Sequence, residues 1–215
     1  MPLTARKARF IPKEMINIKK FLFSLFLLFM FFISGCTAKE ESETFFIHGA
    51  AFEKDGENVS ITLLSEHLSG DKSDYSVIEQ KAENLSEAAE KIKKKYRECY
   101  FATCRFYLFT DKADKDFLLK VAKELCDGND FPITANIFII RESPSKAFLA
   151  SIEDGKDLKS FMSLYDKNKL NIIRFFAHIF SEKDISVPTL RLSDDGKAEK
   201  DGKAVFKKKR GVIFE

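Results

Sequence analysis

The stretch ATCRFYLFT, residues 102–110, decides the fold. Alternate side chains of a β-strand point to opposite faces of the sheet, and in this stretch both faces are apolar. One face carries Cys104, Phe106 and Leu108, and the other carries Tyr107 and Phe109. A strand that is apolar on both faces is typical of the centre of a sheet covered by helices. We therefore predict that residues 102–110 form a central strand.

The neighbouring segments extend this sheet. TANIFIIR, residues 134–141, is again apolar on both faces, and a helical pattern over residues 111–125 separates it from the first strand. Two strands joined by a helix favour a parallel pair with a right-handed crossover. Nearer the N-terminus, strands at residues 44–53 and 58–64 flank an Asp-Gly turn and predict a β-hairpin. Gly49, inside the first of these strands, predicts a bend or a close approach of another group to the backbone.

The remaining segments alternate between helical and strand patterns. Asn84 and Glu87 have the spacing of a capping box and predict a helix start. A later helix, at residues 170–181, has a predicted buried stripe made of Ile172, Ile173, Phe176, Ile179 and Phe180. Other predicted helices lie at residues 143–149 and 157–165, and other strands at 75–82, 187–192, 204–206 and from 211 onward, with 193–203 as a polar turn. The predicted fold class is α/β (α+β): a mixed β-sheet with helices packed against it and an N-terminal β-hairpin.

A leader with the features of a secretory signal precedes this domain. Two lysines are followed by FLFSLFLLFMFFISGC, residues 21–36, whose first thirteen residues are apolar except for Ser24. A helix of that length covers about 20 Å, which is too short to cross a bilayer comfortably and suits the apolar centre of a signal peptide. The ending Ser34-Gly35-Cys36 resembles the bacterial lipoprotein signal. This resemblance implies cleavage between Gly35 and Cys36 and a diacylglyceryl group on the Cys36 thiol. The alternatives are a transmembrane anchor or a buried cysteine placed there by coincidence.

These features divide the chain into three parts. Residues 1–36 form a predicted lipoprotein signal peptide, in which residues 1–14 are either an upstream start-site artefact or a real extension. Residues 37–43, TAKEESE, form a charged flexible tether. Residues 44–215 form the α/β domain, and residues 188–215 are also compatible with a small C-terminal lobe. Because two acyl chains anchor a protein stably, we expect a lipid-anchored protein on the extracytoplasmic face of a membrane.

The charge distribution argues against a nucleic-acid-binding role. The whole chain has a formal charge of +3, but residues 1–36 alone contain six Lys/Arg and one acidic residue. The rest of the chain is therefore slightly acidic, which does not suit binding to a polyanion.

The sequence contains no recognisable catalytic, cofactor or metal motif. We predict that His48 and His67 are surface or edge residues rather than catalytic ones, and that His178 faces solvent. The acidic residues between 194 and 201 lack the ligand spacing of an EF-hand loop, which predicts a polar hairpin tip instead.

Three cysteines follow Cys36, so they cannot all pair with one another. They are Cys99, Cys104 and Cys126. A disulfide between Cys99 and Cys104 is one interpretation for a protein outside the cytoplasm, and buried free thiols are the other.

Six segments, in the same order along the chain, resemble the Ger(x)C lipoproteins, the C-subunits of spore germinant receptors. They are the leader ending in Cys36, IHGAAFEKD at 47–55, NLSEA at 84–88, YFAT at 100–103, the strand and helix at 133–152, and DGKAVFK at 201–207. The chain departs from the family pattern at Ala51, where the family has glycine, and at Ala102-Thr103, where it has Gly-His. Family members also continue into a further C-terminal domain, which has no counterpart after Glu215.

The resemblance implies a non-enzymatic subunit on the outer face of the spore inner membrane. Its implied partners are the lipid bilayer and the integral A- and B-type receptor subunits, with no nucleic acid and no cofactor besides the lipid on Cys36. The alternative function is a small-ligand-binding or other cell-envelope lipoprotein, which predicts a deep cleft with convergent polar groups.

Overall fold

The computed structural model describes residues 44–214 except 70–71, 97, 129, 153–157, 163–169, 182–183 and 208–210. The predicted signal peptide and tether, including Gly35 and Cys36, lie outside the described residues. None of the helices in the described part has the length and apolarity needed to span a bilayer.

Nine strands of the described part form one mixed sheet. Its centre is a row of four parallel strands: β1 (Thr44–Asp55), β5 (Phe106–Thr110), β6 (Asn136–Ile140) and β7 (Ile185–Leu192). Antiparallel strands extend the row on both sides: β2 (Asn58–Ser69) and β3 (Lys72–Ala82) beyond β1, and β8 (Ala198–Lys207) and β9 (Gly211–Phe214) beyond β7. The short strand β4 (Glu98–Tyr100) pairs in parallel with the first residues of β1. The predicted mixed sheet and N-terminal hairpin are confirmed, and the last three strands continue the same sheet.

Helices cover both faces of the sheet. Three helices lie on one face: α1 (Leu85–Lys95), α2 (Lys115–Asp127) and α4 (Ile172–Phe180). The short helix α3 (Ser145–Ala150) and the helical residues 158–162 lie on the other face. The predicted capping box begins α1, since the Glu87 amide donates to Asn84 Oδ1 at 2.9 Å and the Glu83 amide donates to Glu87 Oε2 at 3.0 Å.

The two faces of β5 enter separate apolar cores, as its alternating pattern predicts. Tyr107 and Phe109 belong to the core under α1, α2 and α4, while Phe106 and Leu108 belong to the core under α3. Cys104 lies with the first core rather than with Phe106, so its predicted face is wrong. The reason is that Cys104 precedes the strand, where the alternation does not apply.

The predicted strand 102–110 begins four residues too early. Phe101–Thr103 form a turn of 3₁₀ helix, and the extended strand starts only at Phe106. The short strand β4, just before this turn, was not predicted. The other central strand is also shorter than expected, with Asn136–Ile140 in place of residues 134–141.

The C-terminal predictions are wrong in two details. The predicted polar turn 193–203 is mostly strand, because β8 begins at Ala198 and the turn occupies only the residues before it. In α4, Ile173 is 45% exposed although it was predicted to be buried, and Phe175, which was not in the predicted stripe, is fully buried. Phe175 packs edge-on against Phe206 of β8 with the ring centroids 5.7 Å apart, so its position follows from a tertiary contact.

Gly49 is the point of close approach that the sequence predicts. The pairing of β1 with β2 is irregular between Ile47 and Gly49, and a Cβ atom added to Gly49 would lie 2.1 Å from the Phe106 ring. That ring is fully buried and packs against Phe161, with the centroids 5.0 Å apart. The ring therefore has little room to move away from a side chain at position 49.

We expect Gly49→Ala to lower the free energy of unfolding by about 1–3 kcal/mol, the range typical of overpacked cores. The measurement is urea unfolding of the full chain in detergent, followed by circular dichroism. The double variant Gly49→Ala/Phe106→Leu is the matched control, because the smaller side chain makes room and the added methyl group should cost less in that background. If Gly49→Ala lowers the free energy of unfolding equally in the wild-type and Phe106→Leu proteins, the clash with Phe106 is not the cause of the destabilisation.

Candidate interaction surface at the amino edge of the sheet

The four parallel strands begin at one edge of the sheet, which we call the amino edge. Their first residues are Thr44, Phe106, Asn136 and Ile185. Residues 37–43 precede Thr44, so the chain joins the domain at this edge. The opposite edge, where these strands end, is the carboxyl edge.

An open depression of about 680 Å³ lies at the amino edge. Strands β1 and β2 line one side of it with Phe46, His48, Glu66 and Leu68. The segments leading into β5 and β6 line the rest, together with Met162. The depression is thus a mixed surface, with a polar pair between apolar side chains.

The depression includes the departure from the Ger(x)C pattern at Ala102-Thr103. The Thr103 hydroxyl lies 2.8 Å from the Ile47 carbonyl oxygen and 2.9 Å from that of Tyr100. Threonine therefore ties the 3₁₀ turn to β1, and this contact fixes the position of Tyr100 at the rim.

His48 and Glu66 form the polar pair of the depression. His48 Nε2 lies 2.8 Å from Glu66 Oε2, and the two side chains are 15% and 22% exposed. Burial by itself raises the pKa of Glu66, but hydrogen bonds from His48, Ser73 and Tyr75 outweigh it, so the pKa lies below its ordinary value. The carboxylate joins β1, β2 and β3 in its ionised form. His48 is a half-buried residue at an edge depression, where it contacts Glu66.

The lowered pKa of Glu66 predicts a pH-dependent contribution to stability. A carboxyl group with a lowered pKa stabilises the fold above its unfolded-state pKa, about 4.3 for Glu, and the contribution is lost as the pH falls through the folded-state value. We therefore expect the thermal unfolding midpoint of the wild-type protein to fall more steeply than that of Glu66→Gln between about pH 5 and 3. Glu57→Gln, in the exposed hairpin turn, is the control and should follow the wild type. If the thermal midpoints of wild type and Glu66→Gln fall equally with pH, the lowered pKa assigned to Glu66 is contradicted.

Exposed apolar side chains gather around the amino edge. Five large apolar side chains of the described part are exposed: Leu68 (37%), Tyr100 (50%), Ile133 (39%), Ile173 (45%) and Phe214 (36%). Leu68 pairs with Thr44 at the start of β1, and Tyr100 stacks on Phe46 with the centroids 5.4 Å apart. We call Leu68, Tyr100, Ile133 and Ile173 the amino-edge cluster.

The other two members of the cluster lie next to β6. Ile133 lies between Pro132 and Thr134, which both line the depression. Ile173 is in the first turn of α4, two residues after Asn171, which bridges to Asn136 at the start of β6. Phe214 lies on β9, level with Val187, the third residue of β7, since Phe214 pairs with Ala204 and Ala204 pairs with Val187; its ring lies under the Arg141 guanidinium, 5.1 Å away. Four of the five exposed apolar side chains thus share one edge of the sheet.

Most acidic groups at this edge are bonded to neighbours. The Thr44 hydroxyl donates to Glu98 at 2.9 Å, and Asp130 pairs with Lys93. Lys94, Lys95 and Arg105 are exposed, and so are Asp74 and Asp184.

A second depression, of about 730 Å³, lies at the carboxyl edge. Its lining includes Lys54, Asp111 and Glu142. Much of its polar lining is already bonded, since Lys54 Nζ lies 2.8 Å from Asp114 Oδ2 and the Ser145 amide donates to Glu53 at 3.0 Å. This depression has the size of a small-ligand site but few of its charged groups are available.

The other histidines take structural positions. His67 stacks on Phe45 with the ring centroids 4.8 Å apart. His178, which was predicted to face solvent, is half-buried.

The cysteines of the domain are free thiols, so the Cys99–Cys104 disulfide is not formed. Cys104 is buried, Cys99 is half-buried and Cys126 is exposed. Burial raises the pKa of Cys104 to about 12 and that of Cys99 to about 11, which makes both thiols poor nucleophiles.

The acidic residues near 194–201 are at a hairpin, as predicted, and arginines neutralise two of them. Arg191 Nε lies 2.7 Å from Glu199 Oε1, and Arg141 lies 2.7 Å from Asp201 Oδ2. No group of three or more metal-ligating side chains occurs among the described residues.

Sequence reasoning did not identify the amino-edge cluster. Its members lie on β2, on β4, in a loop and on α4, and Tyr100 and Ile173 are adjacent in sequence to the buried residues Phe101 and Ile172. No helical or strand periodicity within a single segment identifies these residues as exposed. The available signal was their position near the starts of strands, on the same side as the predicted tether.

The comparisons with known proteins give one match. The model of the family described as "Spore germination protein N-terminal domain" matches residues 38–192. No curated protein and no solved structure matches the chain. The matched segment contains β1–β7 and all four helices described above, in agreement with the resemblance found in the sequence. The chain is therefore a spore germination protein and belongs to the spore germination protein N-terminal domain family.

Proposed function

We propose that this chain is a membrane-tethered, non-enzymatic lipoprotein subunit of a spore germinant receptor. A diacylglyceryl group on Cys36 holds it on the extracytoplasmic face of the spore inner membrane. It acts through protein–protein contacts with the integral A- and B-type subunits of the receptor.

The family match over residues 38–192 is the observation that carries this proposal. The leader supports the tether, because a short apolar run ends in Ser34-Gly35-Cys36. Cys99 and Cys104 support a role without thiol catalysis, because burial raises the pKa of both thiols.

The test is a deletion strain together with a tagged full-length protein. We expect deletion to slow or abolish germination by nutrients while leaving germination by a non-nutrient trigger intact. The tagged protein, solubilised from spore membranes in mild detergent, should co-purify with the integral subunits. Unchanged nutrient germination in the deletion strain would overturn the proposal.

The depression at the carboxyl edge favours a second candidate, a small-ligand-binding envelope lipoprotein. Its volume of about 730 Å³ falls within the range of small-ligand sites. This function predicts that a metabolite raises the thermal unfolding midpoint of the full chain, and that Lys112→Ala, which changes an exposed lining residue, abolishes that rise. If no metabolite in the tested panel changes the thermal unfolding midpoint, the small-ligand-binding function is excluded.

A further inference from the structure

We propose that the amino edge of the sheet rests on the bilayer surface, with the amino-edge cluster at the boundary between headgroups and acyl chains. The inference rests on the proposed lipid anchor at Cys36 and adds an orientation to it. The occupant of the cluster is lipid, and the remaining faces and the carboxyl edge are available to protein partners.

The short connection between Cys36 and the domain is the first argument. Seven residues, 37–43, separate Cys36 from Thr44. Even a fully extended chain of that length spans at most about 25 Å, and a flexible one has a typical end-to-end distance of about 15 Å. Strand β1, with twelve residues, is about 40 Å long. An anchor at Cys36 therefore holds the amino edge close to the membrane, while the carboxyl edge can lie much farther away.

The chemistry of the exposed side chains is the second argument. Tyrosine is enriched at membrane–water interfaces, where its ring lies among apolar groups and its hydroxyl among polar ones. Tyr100 is half exposed at this edge, with leucine and isoleucine side chains exposed on neighbouring elements. None of the five exposed large apolar side chains of the described part lies at the carboxyl edge, since Phe214 is level with Val187 near the start of β7.

The arrangement of the cluster favours lipid over a protein partner. Its four members lie on β2, on β4, in the loop before β6 and on α4. A protein interface buries a contiguous packed patch, whereas a fluid lipid surface accepts separate apolar side chains at one level.

The natural chain contains no tryptophan, so a single introduced tryptophan reports its own depth. The two reporters are Tyr100→Trp at the amino edge and Glu57→Trp at the carboxyl edge, both at exposed positions, with Glu57 in the turn that follows the end of β1. The lipidated full chain is reconstituted in phosphatidylglycerol–phosphatidylethanolamine vesicles whose acyl chains are brominated near the headgroup. Ile133→Trp provides a second amino-edge reporter if Tyr100→Trp lowers the thermal midpoint.

We expect brominated lipid to quench the amino-edge tryptophan by about half, as for an interfacial residue, and to leave the Glu57→Trp reporter almost unchanged. Equal quenching of both reporters, or none at position 100 in vesicle-bound protein, would overturn the orientation. If the amino-edge reporter is unquenched by lipid but becomes shielded from acrylamide when the integral subunits are added, the cluster binds protein instead. Fatty-acid labelling of the same samples separates the two proposals. Labelled, bound but unquenched protein contradicts only the orientation, whereas unlabelled protein contradicts the anchor.

Discussion

Phe52→Ala should lower the free energy of unfolding by about 3–5 kcal/mol, the range for removing a fully buried phenylalanine ring. Phe52 is fully buried on β1, in the core under α1, α2 and α4. Its ring centroid lies 5.5 Å from those of Tyr107 and Phe109 and 6.2 Å from that of Phe131. Tyr107 and Phe109 are on the central strand β5, which cannot collapse into the space left by the substitution, so a cavity remains and adds to the loss of apolar burial.

The measurement is urea unfolding of the full chain in detergent, with the denaturant slope compared between variants. Phe46→Ala is the matched control, since Phe46 lies on the same strand but is half-buried at the amino edge. We expect Phe46→Ala to lower the free energy of unfolding by less than half as much as Phe52→Ala does. Similar costs for the two substitutions would show that β1 is not as deeply embedded at Phe52 as the structure indicates.

The central strands could be predicted because their signal is local and strong. Residues 106–110 and 136–140 are apolar on both faces, and only the middle of a helix-covered sheet buries both faces of a strand. Their limits could not be predicted. Cys104 is apolar and buried, so in the sequence it fits the alternating pattern of the strand. In the structure, the Thr103 hydroxyl contacts the Ile47 and Tyr100 carbonyl oxygens, and these contacts favour a turn there.

The errors in α4 and β8 have different causes. In α4 almost every residue is apolar, IIRFFAHIF, so the periodic contrast is weak and the contact between Phe175 and Phe206 decides which residues are buried. In β8 the segment AEKDGKAVFK is rich in charge and contains Gly202, which suggested a turn. Cross-strand pairs such as Arg191–Glu199 satisfy that charge on an antiparallel strand near the end of the sheet.

The candidate surface depends on the fold, and this is why sequence reasoning could not find it. Leu68 and Ile173 are more than one hundred residues apart, and only the sheet order brings the starts of β1, β5 and β6 to one edge. The proposed lipid attachment site is the opposite case. Lipoprotein signals are local in sequence, so Gly35 and Cys36 lead to this prediction without any knowledge of the fold.

Cys36→Ser should abolish incorporation of a tagged fatty acid into the protein. The substitution removes the thiol that receives the diacylglyceryl group, and a serine hydroxyl does not replace it. Because cleavage before Cys36 follows lipid attachment in this class of signal, the variant should also keep its leader and migrate more slowly than the wild type. Membrane fractionation is a poor measurement here, since the retained apolar run at residues 21–33 can hold the variant at the membrane by itself.

The matched control is Cys126→Ser, which removes an exposed free thiol of the folded domain. This variant should incorporate label and lose its leader as the wild type does, because the domain cysteines take no part in anchoring. Label that persists in Cys36→Ser, or that disappears in Cys126→Ser, would mean that the lipid is attached elsewhere. In that case the seven-residue limit on the distance between membrane and β1 would no longer hold, and the amino edge would have no greater reason than the carboxyl edge to face the bilayer.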